Sequence, residues 1–285
     1  MKTDSSSPNQ ITDYLLTRAD YNLSQQSLNL KQSQVQDEMD FLGGIGRSFK
    51  IMSEYQVEDP FAPESPLVVN IGCLTGTAYM TGLRTYFTAY SPLKRTIQGA
   101  PMASWSAMSG SFGRKYRSTG LDDLVLTGRA ARPSILVLRQ GSDGPEISLD
   151  DAPDSMIGVM TPKKFKWLNE NYNQPEKRKY HAHFSVIGPA GENWDKVWYA
   201  CIVGSTQEQL MSGEDKFRFA GRLGMGSVLG SKNILAIVAY AEKDDYPKGD
   251  ERLKPINQEI GRGDQSKVYR HPMNRDGGGG TGRLE

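Results

Sequence analysis

Residues 218–233 read RFAGRLGMGSVLGSKN, and the rest of the chain is best understood from this segment. It combines Arg218 and Arg222 with four glycines, Gly221, Gly224, Gly226 and Gly230. Glycine has no Cβ, so its backbone can approach a ligand closely or adopt a positive φ angle. Arginine offers a planar set of donors suited to phosphate. The apolar run Ile234–Tyr240 follows directly and predicts a buried strand. This pattern favours either a backbone site for a phosphate-bearing ligand or a tight turn between core elements.

Composition narrows the classes of protein. The chain has 285 residues, of which 37% are hydrophobic and 24% charged, enough for one large domain or two smaller ones. A formal net charge of +1 gives no electrostatic reason to expect binding to nucleic acid or to an anionic membrane. No apolar run approaches the roughly 20 residues that span a bilayer, and the opening MKTDSSSPNQ lacks the apolar core of a secretory signal. We therefore expect a cytoplasmic protein without a membrane span.

Cysteines and histidines are too few for a confident metal site. Cys73 and Cys201 each lie in apolar, strand-like sequence, which predicts buried side chains kept reduced in the cytoplasm. Two cysteines cannot supply an iron–sulfur cluster. His181 and His183 would share one face of a strand, where a structural or surface pair is favoured over a metal pair.

Several strands and fewer helices are predicted, without regular alternation, and this indicates an α+β fold. The predicted strands are Leu67–Ile71, Arg84–Tyr90, Asp123–Thr127, Ser134–Arg139, Phe184–Ile187, Val197–Val203 and Ile234–Tyr240, with weaker signals at Tyr14–Thr17 and Asn22–Leu30. Asp123–Thr127 and Ser134–Arg139 are expected to form a hairpin. One predicted helix is opened by the motif at residues 42–47 and continues to about residue 55, and two others cover residues 114–118 and 161–171. Residues 103–113 are expected to form a loop of small residues.

Composition also divides the chain. Residues 1–10 are polar and expected to be disordered. Residues 11–242 carry the predicted elements and form the domain. Residues 243–285 contain scattered prolines and glycines, including four consecutive glycines at 277–280, and predict an extended or partly disordered tail.

Two groups of charged residues have competing interpretations. Glu192, in the segment Pro-Ala-Gly-Glu-Asn, could act as an acid or base, but a turn residue that caps a backbone amide is favoured. Lys163, Lys164 and Lys166 are expected to form a solvated helix face.

The aromatic residues Trp105, Trp194, Trp198 and Tyr199 could face a ligand or partner, although core packing is favoured.

An ordered set of loop motifs extends over much of the chain. These motifs are LGGIG (42–46), DP (59–60), PL (66–67), LTGT (74–77), Arg84, SPL (91–93), FG (112–113), GLD (120–122), LTGRA (126–130), IGPAGEN (187–193) and AGRLGMGSVLGSKN (220–233). Together they resemble the N-terminal domain of the tungsten-containing aldehyde:ferredoxin oxidoreductases, over about residues 42–238. The resemblance implies two β-sheets with a few helices, which form a base for a bis-pterin tungsten cofactor.

In the family that these motifs resemble, magnesium bridges the pterin phosphates and is held partly by backbone carbonyls from two loops. The resemblance places those loops at residues 105–110 and 218–226, with Arg84 as a further polar contact. The cofactor-binding residues that it implies are Arg84, Ala107, Ser109, Gly110, Arg218, Phe219, Ala220, Gly221, Arg222 and Gly224. Three differences from the family pattern stand out: Ala107 replaces an asparagine, Leu223 a glycine, and Arg114-Lys115 an acidic segment.

Family enzymes continue into helical domains that carry a [4Fe–4S] cluster and the acid–base residues. The cysteines of that cluster are not among the two in this sequence, so we assign no catalytic residue and no iron–sulfur cluster to this chain. The leading hypothesis is one subunit of a split tungsten or molybdenum oxidoreductase, which shares its cofactor with a larger partner. The alternative is a non-catalytic scaffold, cofactor carrier or assembly subunit. Self-association remains a further option.

Overall fold

Two six-stranded mixed sheets are the main elements of the part of the chain that the structure describes. The computed structural model describes residues 14–77, 82–243, 251 and 253–262. The first sheet has the order β2-β1-β6-β3-β4-β5. Its strands are β1 (Leu15–Asn22), β2 (Ser27–Gln34), β3 (Leu67–Ile71), β4 (Thr85–Arg95), β5 (Pro101–Met108) and β6 (Asp123–Thr127).

The second sheet has the order β11-β10-β9-β12-β7-β8. Its strands are β7 (Ser134–Gln140), β8 (Pro145–Asp151), β9 (Ala182–Val186), β10 (Ile202–Gly204), β11 (Arg218–Ala220) and β12 (Ile234–Tyr240). Each sheet contains one parallel pair, β1 with β6 and β12 with β7, and its other ladders are antiparallel. The predicted α+β class with two sheets is therefore confirmed.

Short helices connect and cover the sheets. They are α1 (Gly44–Met52), α2 (Phe112–Arg117), α3 (Thr161–Tyr172), α4 (Pro189–Glu192), α5 (Gln207–Ser212), α6 (Met225–Ser231) and α7 (Leu253–Arg262). Within the described ranges, no helix has both the length and the apolar character needed to cross a membrane.

Two of these helices join the sheets. On α2, the Tyr116 hydroxyl donates to the Val69 carbonyl of β3 at 3.0 Å, while Lys115 Nζ donates to the Ala241 carbonyl after β12, also at 3.0 Å. Helix α6 contacts β4 in the first sheet and β12 in the second. Side chains from both sheets and from α2 and α6 belong to one apolar core, so the two sheets pack together through these helices.

Helix α1 covers the outer face of the first sheet. Ile51 and Met52 pack on Val68 and Val125. Below them, the Arg47 guanidinium pairs with the buried carboxylate of Asp123. The helix begins at the predicted Leu-Gly-Gly-Ile-Gly motif and ends three residues earlier than predicted, at Met52.

The predicted hairpin between Asp123–Thr127 and Ser134–Arg139 is wrong. Strand β6 lies in the first sheet between β1 and β3, whereas β7 lies in the second between β12 and β8. Both segments are buried apolar runs, and such a run fits any central strand position. Periodicity therefore identified the strands but not their partners.

Other local predictions also need correction. Residues 101–108 form strand β5 instead of part of a small-residue loop, because buried Ser104, Ser106 and Met108 alternate with more exposed neighbours in register with β4. Strand β8 lies in a segment for which no strand was predicted, and the strand expected at Val197–Val203 begins only at Ile202. Cys73 is exposed, because it lies in a turn beyond the end of β3, and Cys201 is half-buried.

Residues 1–10 lie outside the described residues, as does most of the predicted tail. The described part of the tail includes helix α7, an element that the sequence prediction did not contain. Pro255 occupies its third position, and proline is tolerated in the first turn of a helix because the amide there has no intrahelical acceptor.

Candidate functional site

The glycine-rich segment lies where the edges of the two sheets meet. Strand β5 is the last strand of the first sheet, and β11 is the last strand of the second. The Arg222 amide donates to Ser106 Oγ of β5 at 3.0 Å. A Cβ added to Gly110 would lie 3.1 Å from Arg218 Cγ of β11. The structure therefore brings together the two segments, around residues 105–110 and 218–226, that the sequence paired only by resemblance.

Residues 221–224 form the turn that connects β11 to α6, in which Gly221 and Arg222 are exposed, Leu223 is half-buried and Gly224 is buried. Leu223 has φ 61° and Gly224 has φ 76°, both in the left-handed region. The Ser91 hydroxyl of β4 donates to the Leu223 carbonyl at 2.8 Å. The turn is thus held by hydrogen bonds from two strands of the opposite sheet.

Three of the four glycines serve packing within the chain. A Cβ on Gly224 would overlap the Trp198 carbonyl, one on Gly226 the Cys201 carbonyl, and one on Gly230 the Gly191 carbonyl. At these three positions, close contact between core elements is sufficient to explain the presence of glycine.

Gly221 is different from the other three glycines. It is exposed, and the nearest atom to a Cβ placed there is Phe219 Cβ, at 4.0 Å. The fold itself does not require glycine at this position. Such a position suits a ligand that approaches the backbone from outside the chain.

Three exposed arginines surround this surface. Arg218 and Arg222 flank Gly221, and Arg84 precedes Thr85, which pairs with Met108 at the end of β5. Their guanidinium groups form no ion pair with a carboxylate in the described part of the chain. One Nη1 hydrogen bond joins Arg218 to the Phe217 carbonyl at 3.2 Å. Among the described residues, therefore, no carboxylate neutralises the positive charge at this site.

The remaining predicted residues surround the turn in different ways. Ala107 belongs to strand β5 opposite Tyr86, so its backbone is part of a sheet and not of a free loop. Ser109 and Gly110 follow at the end of that strand, half-buried. Phe219 is 57% exposed, whereas the Ala220 side chain is buried.

Sequence reasoning missed the residues that support the site. Arg117 Nη2 donates to the Gly72 and Cys73 carbonyls at 3.1 and 3.2 Å. In the same loop, Thr75 Oγ1 donates to the Arg84 carbonyl at 2.9 Å, so this network fixes the backbone of Arg84. Ser91 belongs to the Ser-Pro-Leu motif, but nothing in the sequence indicated that Ser106 contacts the turn.

Potential metal ligands are sparse in the described residues, which contain no group of three histidine, cysteine or carboxylate side chains able to hold an ion. His183 is buried, and its Nδ1 lies 3.1 Å from Ser205 Oγ. Glu192 Oε2 accepts from the Gly158 amide at 2.7 Å, so the capping interpretation of this glutamate is confirmed.

Comparison with known proteins agrees with the geometry. Residues 20–241 match the family model described as aldehyde ferredoxin oxidoreductase, N-terminal domain. Tungsten-containing aldehyde ferredoxin oxidoreductase from Pyrococcus abyssi is 31% identical over 200 residues, which cover 70% of this chain and 28% of that protein. The Pyrococcus horikoshii enzyme of the same name is 30% identical, with the same coverage. This chain therefore spans little more than a quarter of these relatives.

Two further similarities concern proteins described as parts of assemblies. The aliphatic sulfonate oxidoreductase, WOR-like subunit, of Pyrococcus furiosus is 29% identical over 210 residues, covering 70% of this chain and 30% of that protein. The solved structure described as the active site complex BamBC of benzoyl coenzyme A reductase has a similar fold, with a TM-score of 0.71 and 23% identity over 90% of this chain and 35% of that chain. On its motifs, its two-sheet fold and the match over residues 20–241, the chain belongs to the aldehyde ferredoxin oxidoreductase family, whose N-terminal domain it contains.

Proposed function

We propose that this chain binds a tungsten or molybdenum bis-pterin cofactor in an oxidoreductase that acts on aldehydes or related substrates. The cofactor is shared with a larger partner polypeptide that supplies the [4Fe–4S] cluster and the acid–base residues. The enzyme is cytoplasmic, where the free thiols of Cys73 and Cys201 remain reduced. The proposal rests above all on Gly221, an open glycine beside uncompensated arginines.

The residues at this surface fit the phosphate end of such a cofactor. Arg84, Arg218 and Arg222 supply charge for phosphate oxygens, and Gly221 allows those oxygens to reach the backbone. Magnesium between the phosphates is part of the proposal, with backbone carbonyls near Ala107 and Ala220 as ligands. When bound, the cofactor supplies the redox chemistry, while the chain contributes binding, orientation and electrostatics.

Sharing of the cofactor with a partner is supported by the exposure of the site. Phe219, at the centre of the surface, is 57% exposed, and Trp105 is 38% exposed. Large apolar side chains at a ligand surface are typical of interfaces. Two similar proteins are described as a subunit and as a two-part active site complex. Self-association is a less favoured way to cover the same surface.

The alternative proposal, a non-catalytic scaffold, carrier or assembly subunit, is favoured by one observation. Leu223 stands where the family pattern has glycine, and it occupies a left-handed conformation with φ 61°. Its partly buried side chain packs against the apolar core, and its left-handed backbone carries strain that glycine would avoid. A degenerate site would retain the fold but bind little cofactor.

Metal analysis of the native complex tests the main proposal. The protein is purified from its host without disrupting complexes, and tungsten, molybdenum, iron and pterin are measured per polypeptide. About four irons with one tungsten or molybdenum are expected, the content of one cubane cluster with one mononuclear centre. A complex that contains pterin but no redox partner supports a carrier. A chain that folds without pterin or either metal contradicts cofactor binding altogether.

A pair of glycine substitutions tests the location of the site. Gly221→Ala is expected to reduce bound pterin at least about tenfold, because the methyl group blocks approach to the backbone, while thermal stability changes little. Gly46→Ala is the matched control, since Gly46 is also exposed and its added Cβ lies 3.9 Å from the nearest atom. Equal pterin content in both variants and in the unmodified protein would place the cofactor elsewhere.

A further inference from the structure

We propose that Ser91 and Ser106 are positioning residues that hold the turn at residues 221–224 in its ligand-competent conformation. The expected effect of these serines on cofactor binding rests on the proposed function. The conformational part concerns this chain alone and can be tested without the cofactor.

Both serines reach the turn across the boundary between the sheets. Ser91 belongs to β4 and Ser106 to β5, with exposures of 1% and 2%. Ser106 Oγ accepts from the Arg222 amide at 3.0 Å, and Ser91 Oγ donates to the Leu223 carbonyl at 2.8 Å. Two buried hydroxyls of the first sheet therefore form hydrogen bonds with Arg222 and Leu223, consecutive residues of a turn that belongs to the second sheet.

The conformation of the turn explains why it needs this support. Leu223 has φ 61°, a left-handed conformation that is unfavourable for a residue other than glycine. Such a conformation persists only where neighbouring contacts enforce it. Gly224 follows with φ 76°, packed against the Trp198 carbonyl and the Pro92 ring. The hydrogen bond from Ser91 fixes the direction of the Leu223 carbonyl and so helps to hold this strained residue in place.

These hydrogen bonds also determine which polar groups of the turn remain available to a ligand. The Arg222 amide already donates to Ser106, so it is not a free donor at the surface. The Arg222 guanidinium and the exposed backbone of Gly221 remain available. Ser106 thus acts through Arg222, and we do not assign it a contact with the cofactor.

Amide hydrogen exchange in the full-length chain tests the conformational part. Ser106→Ala removes the acceptor of the Arg222 amide, and this amide is expected to exchange roughly fivefold faster or more, the effect of one lost hydrogen bond. Ser91→Ala is expected to accelerate the same amide, because the turn relaxes. Ser104→Ala is the matched control, since Ser104 is also buried on β5 but donates to the Met102 carbonyl instead of the turn.

A second substitution separates positioning from general stability. Leu223→Gly removes the penalty of the left-handed conformation, so Ser91→Ala is expected to have a smaller effect on Arg222 exchange in that background. Equal acceleration by Ser91→Ala in both backgrounds would overturn the role of Ser91 in holding a strained turn. Unchanged Arg222 exchange in Ser106→Ala, or the same acceleration in Ser104→Ala, would overturn the role of Ser106.

Pterin content of the purified native complex tests the consequence. Ser91→Ala and Ser106→Ala are expected to lower bound pterin by roughly fivefold or more, with the Ser104→Ala complex unchanged. Ser106→Thr retains the acceptor oxygen and is expected to restore binding. Faster Arg222 exchange with undiminished pterin would overturn the link to binding. A wild-type complex without pterin would refute the proposed function, while the exchange result would still decide whether the serines position the turn.

Discussion

At the scale of single residues, burial changes the role of a charged side chain. Lys164 was expected on a solvated helix face, but it is fully buried and that expectation is wrong. Its Nζ donates to Glu192 Oε1 at 2.5 Å and to the Ile187 carbonyl at 2.9 Å. Burial lowers the pKa of Lys164, and the charge of Glu192 opposes that shift. This pair anchors α4 to α3.

Substitution of this lysine tests the pair. Lys164→Met leaves the partly buried Glu192 carboxylate without its counter-ion, and we expect a loss of about 3 kcal/mol in the free energy of unfolding. Lys166→Met is the control, because its side chain is 77% exposed and lies 3.9 Å from Glu170, and its effect should stay within about 0.5 kcal/mol. Urea denaturation measures both values. Similar results for the two variants would contradict a structural role for the Lys164–Glu192 pair.

At the scale of elements, α6 and α4 pack through their backbones. Gly230 of α6 lies against the carbonyl of Gly191 in α4, and Gly226 against the carbonyl of Cys201. The close approach leaves no room for a side chain, so these glycines set the distance between elements. Because α6 begins at the end of the glycine-rich turn, this packing also fixes one end of the candidate site.

Alanine at Gly230 is expected to destabilise the chain by about 2 kcal/mol or more, because backbone atoms of α4 must move to relieve the overlap. Gly46→Ala, within α1, adds a Cβ that makes only an ordinary contact with Phe41, and it should be neutral or stabilising by up to about 1 kcal/mol. Thermal unfolding of the two variants provides the comparison. A stable Gly230→Ala protein would show that α4 and α6 can separate at little cost.

At the scale of the whole molecule, the buried Lys232 and the half-buried Arg129 connect the two sheets. Lys232 follows α6, and its Nζ donates to the Ser65 carbonyl before β3 at 2.6 Å. Arg129 Nη2 donates to the Phe61 carbonyl at 3.0 Å, and its Nε donates to the Ser231 carbonyl at 2.5 Å. The loop that precedes β3 is thereby attached to the end of α6, across the boundary between the sheets.

This arrangement predicts a dependence of stability on pH. Burial, reinforced by the charge of Arg129, lowers the pKa of Lys232 to about 7 from a usual value of 10.5. Between these pH values the unfolded chain holds a proton that the folded chain has released, so the free energy of unfolding should rise with pH. The contribution is at most about 1.4 kcal/mol per pH unit.

The measurement compares unfolding of the unmodified protein and Lys232→Met from pH 7 to pH 10. The unmodified protein should gain stability relative to the variant across this range. The exposed substitution Lys166→Met serves as the control and should leave the slope unchanged. Parallel curves for the unmodified protein and Lys232→Met would show that Lys232 keeps its proton in the folded state.

The limits of sequence reasoning are visible in particular residues. Ile234–Tyr240 and Leu67–Ile71 were predicted with the bounds that the structure gives them, because a buried apolar run needs no partner to be recognised. The partners of Asp123–Thr127 were not predictable in this way. The prediction for Lys164 was wrong for a related reason. Three lysines within four positions of a helix indicate a solvated face, and the sequence does not show that other segments of the fold bury one of them.

By itself, the sequence determined the family, the α+β class and the segments that carry the candidate site. These follow from residue types in local order: glycines where backbones approach, arginines beside them, and apolar runs in strands. Only the tertiary structure decided that Gly221 is open while Gly224, Gly226 and Gly230 are packed, and that Ser91 and Ser106 hold the turn. The glycine packing depends on the carbonyls of Trp198, Cys201 and Gly191. The serine contacts join residues 116 and 132 positions apart, and no local pattern encodes the spatial neighbours of a residue.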